Sequence, residues 1–120
     1  MLLAGITHPH IYKGWFQDTL KTARFGHGIA ILRMDADWYE STMQILVNLF
    51  DSVNRGGVIL IDDYFTWDGC ARAVHDYLSK NICAERINAH HRVCFIEKSQ
   101  TPLKFDRVNS PSILARALPL

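Results

Sequence analysis

The sequence has 120 residues, 48% of them apolar, which is enough for one modest core and too little for two independent domains. Its 13 basic and 12 acidic residues leave a net charge of +1 and are spread along the chain, which disfavours nucleic-acid binding. Three cysteines without a CxxC pair predict a reducing, cytoplasmic setting, and no apolar run approaches the roughly 20 residues of a membrane helix.

The first predicted elements are short. Residues 11–13 resemble the end of a strand, and a brief helix is expected around residues 17–22. Residues 29–34 (IAILRM) then form an apolar, β-branched run that ends at Asp35, as in a strand buried on both faces of a parallel sheet. Helical spacing follows, ending at residues 54–57 (NRGG). The predicted apolar stripe of this helix is Tyr39, Met43, Leu46, Val47, Phe50 and Val53.

A second strand and helix repeat the pattern. Residues 58–61 (VILI) end at Asp62 and Asp63, and Thr66 or Asp68 can cap the helix that follows. Strand, helix, strand and helix in this order indicate an α/β fold, and right-handed crossovers make the two strands parallel. The predicted inward face of the second helix is Cys70, Ala73, Val74, Tyr77 and Leu78.

The last predicted elements are two closing strands between residues 85 and 98, antiparallel to each other. We therefore expect residues 1–100 to belong to one α/β domain. Residues 101–120 contain three prolines and no clear period, so this tail is expected to be loosely ordered or docked on a partner.

Acidic residues follow both buried strands of the α/β unit. The carboxyl ends of neighbouring parallel strands lie about 4.8 Å apart, so Asp35, Asp62 and Asp63 can converge on one point. Carboxylates held that closely repel each other, and a hard divalent cation such as Mg²⁺ relieves the repulsion. The alternative is that each aspartate is a helix cap or a turn residue.

Four segments also carry a family resemblance. They are GWFQDTL (14–20), RMDADWYESTM (33–43), GGVILIDDY (56–64) and CARAVHDYL (70–78). In wording, spacing and order they resemble the TylF/MycF-type macrocin O-methyltransferase family, from about Tyr12 to Lys98. The resemblance implies a partial Rossmann-like sheet of a class I methyltransferase, namely its C-terminal half, with parallel strands followed by a closing antiparallel pair.

The resemblance also implies a function and roles for the aspartates. Members of this family methylate sugar hydroxyls of natural products with S-adenosylmethionine and Mg²⁺. By that likeness Asp35, Asp62 and Asp63 are the metal ligands, and Asp37 is the general base. This division is chemically sensible, because a carboxylate that is not bound to the metal can remove the proton of a hydroxyl that the metal has acidified.

The cofactor contacts implied by the resemblance are fewer. Phe16 and Gln17 match a segment that lies beside the adenine ring in related metal-dependent methyltransferases, although they could equally be a core aromatic and a surface residue. The glycine-spaced cofactor loop of the family is missing upstream, where Gly5 is the one glycine before Gly14. We therefore expect a homo-oligomer or a partner that supplies the N-terminal half.

Two other functions fit parts of the pattern. Glycosyltransferases bind a metal and a nucleotide sugar through a DxD motif, which would use Asp35 and Asp37 and leave the second acidic pair without a role. The chain could also be a non-catalytic remnant or an assembly domain whose carboxylates bind no metal. Metal binding by a variant of Asp62 separates the methyltransferase from the glycosyltransferase, and titration with Mg²⁺ and S-adenosylmethionine tests the non-catalytic alternative.

Overall fold

The computed structural model describes residues 9–99, and it has two layers, a four-stranded sheet and a pair of helices. The elements in chain order are α1 (Phe16–Thr19), β1 (Ile29–Met34), α2 (Tyr39–Leu49), β2 (Val53–Ile61), α3 (Asp68–Lys80), β3 (Ile87–His90) and β4 (Val93–Glu97), with a 3₁₀ turn (Phe50–Ser52) between α2 and β2. No helix in this range is both long and apolar enough to cross a membrane.

The sheet has the order β1-β2-β4-β3. Strands β1 and β2 are parallel, whereas β4 is antiparallel to both β2 and β3. The predicted α/β class, with parallel strands followed by a closing antiparallel pair, is confirmed. Among residues 9–99, β1 is an edge strand that pairs with β2 alone.

The core lies between one face of the sheet and the two long helices. Alternate residues of β4 and of the last part of β2 are buried on this face, for example Ile59 and Ile96, which are neighbours across β2 and β4. The predicted inward face of α3 is correct, since four of its five residues are buried and Leu78 packs against the same cluster. Helix α3 thus closes the core as its sequence pattern indicates.

The opposite face of the sheet is largely open. Ile31 on β1 and Val93 on β4 belong to this face and are 67% and 50% exposed. Sheets that contain parallel strands usually carry helices on both faces. The described part of the chain therefore presents an apolar surface that a second layer would cover.

Helix α2 differs from its prediction in two ways. It ends at Leu49, and β2 already begins at Val53, before the predicted stop at residues 54–57. Its buried face is also rotated relative to the predicted apolar stripe. The Tyr39 hydroxyl donates a hydrogen bond to Asp76 of α3, and Val47 is exposed. The helix residues that are buried are Thr42, Ile45, Leu46 and Leu49.

The two glycines expected to end α2 form a bulge in β2 instead. The ladder with β1 slips before Ile31 pairs with Val58, and Gly56 takes a φ of 78°. A Cβ atom at Gly57 would lie 2.9 Å from the Ala30 carbonyl oxygen. Glycine is thus required here by close approach of the β1 backbone.

Two further expectations concern the ends of the chain. The strand end predicted at residues 11–13 is wrong, since these residues form no strand. Ile11 is largely exposed, so its apolar side chain does not belong to the core. The tail predicted for residues 101–120 lies outside the described range.

The two faces of the sheet predict losses of different size from the same substitution. Ile59→Val should lower the free energy of unfolding by about 1 kcal/mol, because it removes a methylene group from a close-packed core. Ile31→Val should cost less than about 0.5 kcal/mol, because Ile31 lies on the open face. Urea unfolding of the two variants measures both values. Equal losses would show that the open face is covered in solution.

Candidate functional site

The tips of β1 and β2 meet at one edge of the sheet. The Asp62 amide donates a hydrogen bond of 3.0 Å to the Met34 carbonyl, which extends the parallel pairing past the end of β2. The acidic segments that follow are thereby held side by side. Among residues 9–99, Asp35, Asp37 and Asp63 each offer a carboxylate oxygen within 4.8 Å of the others. We call these three residues the acidic group.

Asp63 is the most constrained member of this acidic group. Its Oδ2 atom is buried and has no hydrogen-bond partner. Desolvation, followed by the negative charges of Asp37 and Asp35, raises the pKa of this carboxyl. A buried acceptor without a donor, surrounded by like charges, fits a cation with oxygen ligands, so these residues suit a divalent metal.

Asp62 points to a different partner. Its Oδ2 accepts a 2.8 Å hydrogen bond from the guanidinium of Arg33, which also lies 3.8 Å from Asp35. Asp62 is therefore outside the group of three, although it was predicted as a metal ligand. Arg33 was not anticipated from the sequence, although a basic residue in an otherwise apolar strand directly before the acids was a visible signal.

The segment between Asp35 and Asp37 is fixed by helix α2. The fully buried hydroxyl of Thr42 donates a 2.8 Å hydrogen bond to the carbonyl of Ala36. This residue was also missed, because the predicted stripe of α2 placed position 42 outside the apolar face. Its role is to hold the backbone between the two aspartates.

The loop after β2 is tied to helix α3. The Asp63 carbonyl accepts hydrogen bonds from the amides of Thr66 and Trp67, at 3.1 and 3.0 Å. The Tyr64 hydroxyl and Nε2 of His75 are hydrogen-bonded at 2.6 Å. Burial raises the pKa of Tyr64, so its hydroxyl keeps its proton at neutral pH. These contacts determine where the Asp63 carboxylate can lie.

The two residues predicted to lie beside the adenine ring belong to a short helix. Phe16 is half-buried and packs against the edge of the core, while Gln17 is exposed on α1. Helix α1 has four residues and buries none of them. The contact of Phe16 and Gln17 with a cofactor stays a prediction.

Two cavities of the described residues have linings that leave out Asp35, Asp37 and Asp63. One, of about 710 Å³, lies between α2 and α3. A smaller one, of about 250 Å³, opens next to the Arg33–Asp62 pair. Its lining residues are Arg33, Leu60, Ile61, Asp62, Arg92 and Val93. The acidic group therefore lies outside both of these cavities.

Comparison with known families identifies the family of the chain. The model of the macrocin O-methyltransferase (TylF) family matches residues 7–96. The chain belongs to this family. The resemblance seen in the sequence is thus confirmed, and the family match favours a methyltransferase over the glycosyltransferase alternative.

Three relatives within the macrocin O-methyltransferase family share 40–50% identity with the chain. Demethyldecarbamoylnovobiocin O-methyltransferase of Streptomyces niveus is 45% identical over 62% of the chain, which corresponds to 28% of the relative. A 4'-O-methyltransferase of Streptomyces olivaceus, which acts on 8-demethyl-8-(2,3-dimethoxy-alpha-L-rhamnosyl)-tetracenomycin-C, is 50% identical over 53% of the chain and 24% of the relative. Mycinamicin III 3''-O-methyltransferase of Micromonospora griseorubida is 40% identical over 62% of the chain and 28% of the relative.

A solved structure supports the fold of the macrocin O-methyltransferase family. The O-methyltransferase NovP superposes with a TM-score of 0.67 and 38% identity, over 72% of this chain and 36% of NovP. The class I methyltransferase architecture is confirmed by this match. The chain spans about a quarter of the length of the three relatives.

The acidic group predicts an unusual effect of removing a charge. Because the pKa of Asp63 is raised, its ionisation destabilises the folded chain fully at pH values above that pKa, and this loss of stability shrinks as the pH falls from it toward the ordinary value of a carboxyl group. Asp63→Asn should therefore raise the unfolding temperature in EDTA at pH 7. Mg²⁺ should stabilise the wild type and leave this variant unchanged. Thermal unfolding with and without the metal measures both effects.

A matched control lies at the other end of β2. Asp51 is exposed in the turn before this strand, so Asp51→Asn removes the same charge away from the acidic group. It should change neither the stability in EDTA nor the response to Mg²⁺. An Asp63→Asn variant that is less stable than the wild type in EDTA would contradict the proposed repulsion.

The Tyr64–His75 contact predicts a measurable coupling. Tyr64→Phe and His75→Ala each remove one partner of the hydrogen bond, so a double-mutant cycle should give about 0.5–1 kcal/mol of coupling in the free energy of unfolding. The same cycle with His90→Ala serves as the control, since His90 lies on β3 and contacts His91. A coupling of zero for Tyr64 and His75 would show that the contact does not stabilise the loop.

Proposed function

We propose that the chain carries the metal-binding, acceptor-facing part of an S-adenosylmethionine- and Mg²⁺-dependent O-methyltransferase active site. The observation that carries this proposal is the convergence of Asp35, Asp37 and Asp63 in a chain of the macrocin O-methyltransferase family. The acceptor is a hydroxyl of a sugar on a natural product. The substrate of one relative supports this, since it carries a rhamnosyl group.

The metal ligands in this proposal are Asp35, Asp62 and Asp63. Asp63 offers an unpartnered buried oxygen, and Asp35 lies next to it. Asp62 joins them when Arg33 releases its carboxylate, a rotation of one exposed ion pair that costs little. A divalent ion bound there would hold the acceptor hydroxyl and lower its pKa.

Asp37 is the general base in this proposal. It lies within reach of the same point as Asp35 and Asp63 but is left free when Asp62 completes the ligand set. The Asp37 carboxylate would take the proton of the acceptor hydroxyl, and the hydroxyl oxygen would form a bond to the methyl carbon as the carbon–sulfur bond of the sulfonium breaks. Bound S-adenosylmethionine would supply that methyl group, with neutral S-adenosylhomocysteine as the leaving group.

The cofactor site needs more than the described residues provide. Phe16 and Gln17 would contribute one wall beside the adenine ring. The open sheet face around Ile31 and Val93 supports a partner layer, either a second copy or a polypeptide with the glycine-spaced loop. The three cysteines, all of which lie within residues 9–99, form no disulfide bond, which supports a reducing cytoplasmic location.

Metal titration of aspartate variants tests the assignment of roles. Mn²⁺ binding, followed by electron paramagnetic resonance, should weaken about tenfold or more in Asp35→Asn and in Asp62→Asn, because each loses a ligand. Asp37→Asn should stay within about threefold of the wild type, because a base is not a ligand. Asp51→Asn is the control for loss of charge.

Two outcomes would contradict the proposal. If Asp37→Asn loses metal affinity and Asp62→Asn does not, the ligands are Asp35, Asp37 and Asp63, and the base lies elsewhere. If the wild-type chain binds neither Mg²⁺ nor Mn²⁺ and calorimetry shows no binding of S-adenosylmethionine, the chain is a non-catalytic remnant.

A further inference from the structure

Two tryptophans lie together beside the acidic group. The rings of Trp38 and Trp67 have centroids 6.2 Å apart and an interplanar angle of 26°, an offset stack. They remain 68% and 46% exposed, respectively. Two large aromatic side chains therefore present an apolar surface to solvent, and we call them the tryptophan pair.

The backbone places the tryptophan pair next to the carboxylates. Trp38 directly follows Asp37, and the Trp67 amide is hydrogen-bonded to the Asp63 carbonyl. The two helices start side by side, since a Cβ atom at Gly69 would lie 3.0 Å from the Tyr39 nitrogen. Gly69 thus allows the close approach that brings the rings together.

Neither helix capping nor the core explains these residues. Trp38 and Trp67 are the N-cap residues of α2 and α3, and neither makes a side-chain capping hydrogen bond. N-cap positions favour serine, threonine, aspartate and asparagine, so tryptophan provides no benefit there. Neither ring belongs to the buried cluster between the sheet and the helices.

The chemistry beside the pair indicates what it binds. An aromatic face packs against the C–H face of a pyranose ring, while carboxylates accept hydrogen bonds from its hydroxyl groups. Both features occur here within neighbouring residues, the rings at Trp38 and Trp67 and the carboxylates at Asp37 and Asp63. A flat ligand without hydroxyl groups would use only the rings.

We propose that the tryptophan pair is a stacking platform for the sugar ring of the acceptor. The platform would hold one face of the ring so that a hydroxyl on its edge reaches Asp37. This inference rests on the proposed function, because it names the binding surface for the acceptor of that reaction. The two tryptophans would then determine specificity for the orientation of the sugar.

Indole resonances provide a direct test. The chain has three tryptophans, and Trp15 is 75% exposed, so it reports non-specific binding. Methyl α-L-rhamnopyranoside is titrated into the isotopically labelled full chain, with each indole N–H signal assigned by substitution with phenylalanine. The signals of Trp38 and Trp67 should shift and saturate, while that of Trp15 should not.

Variants of the pair measure its contribution. Trp38→Leu and Trp67→Leu keep an apolar side chain and remove the aromatic face, and each should weaken sugar binding about tenfold, as base-stacking aromatics do. Trp38→Phe and Trp67→Phe should retain most of the affinity. Trp15→Leu is the matched control and should leave the affinity unchanged. Circular dichroism verifies the fold of each variant.

Three results would overturn the platform. They are equal shifts of all three indole signals, unchanged sugar affinity in both leucine variants, or shifts of Trp38 and Trp67 with S-adenosylhomocysteine and none with the sugar. Mn²⁺ titration of the same samples separates this failure from that of the proposed function. Metal binding without sugar stacking would contradict the stacking platform alone. Sugar stacking without metal binding would contradict the metal-dependent mechanism alone.

Discussion

The parallel pairing of β1 with β2 is the contact on which the site depends. Met34 lies opposite Ile61, and the amide of Asp62 continues the ladder by one hydrogen bond to the Met34 carbonyl. Because both strands run in the same direction, the acids that follow them emerge at the same edge. A shift of one residue in this register would separate Asp35 from Asp63 and place alternate side chains on the wrong face.

The charge repulsion between these aspartates is relieved at Asp62 and remains at Asp63. Arg33 neutralises part of the charge through Asp62, while Asp63 keeps a buried oxygen without a donor. A chain selected for stability alone would not retain such an atom, because an unsatisfied buried carboxylate oxygen destabilises the fold. Local strain of this kind is typical of functional sites, and here it coincides with the acidic motifs of the family.

The sequence predicted β1, the second half of β2 and α3 well because their patterns are unambiguous. Residues 29–34 and 58–61 are apolar runs that end in acid, and α3 has a single apolar face. The prediction of the buried face of α2 was wrong because apolar residues occur on two sides of this helix. Tertiary contacts at Tyr39 and Thr42 decide which side is buried. The Arg33–Asp62 pair joins residues 29 positions apart, which no local pattern specifies.

The buried hydroxyl of Thr42 has a consequence for recognition. By holding the carbonyl of Ala36, it fixes the backbone between two aspartates before any ligand is present. A loop that is already rigid loses little conformational entropy when a ligand arrives, so more of the contact energy remains as affinity. The segment from Asp35 to Asp37 is thus preorganised by the packing of α2 in the core, although its carboxylates face solvent.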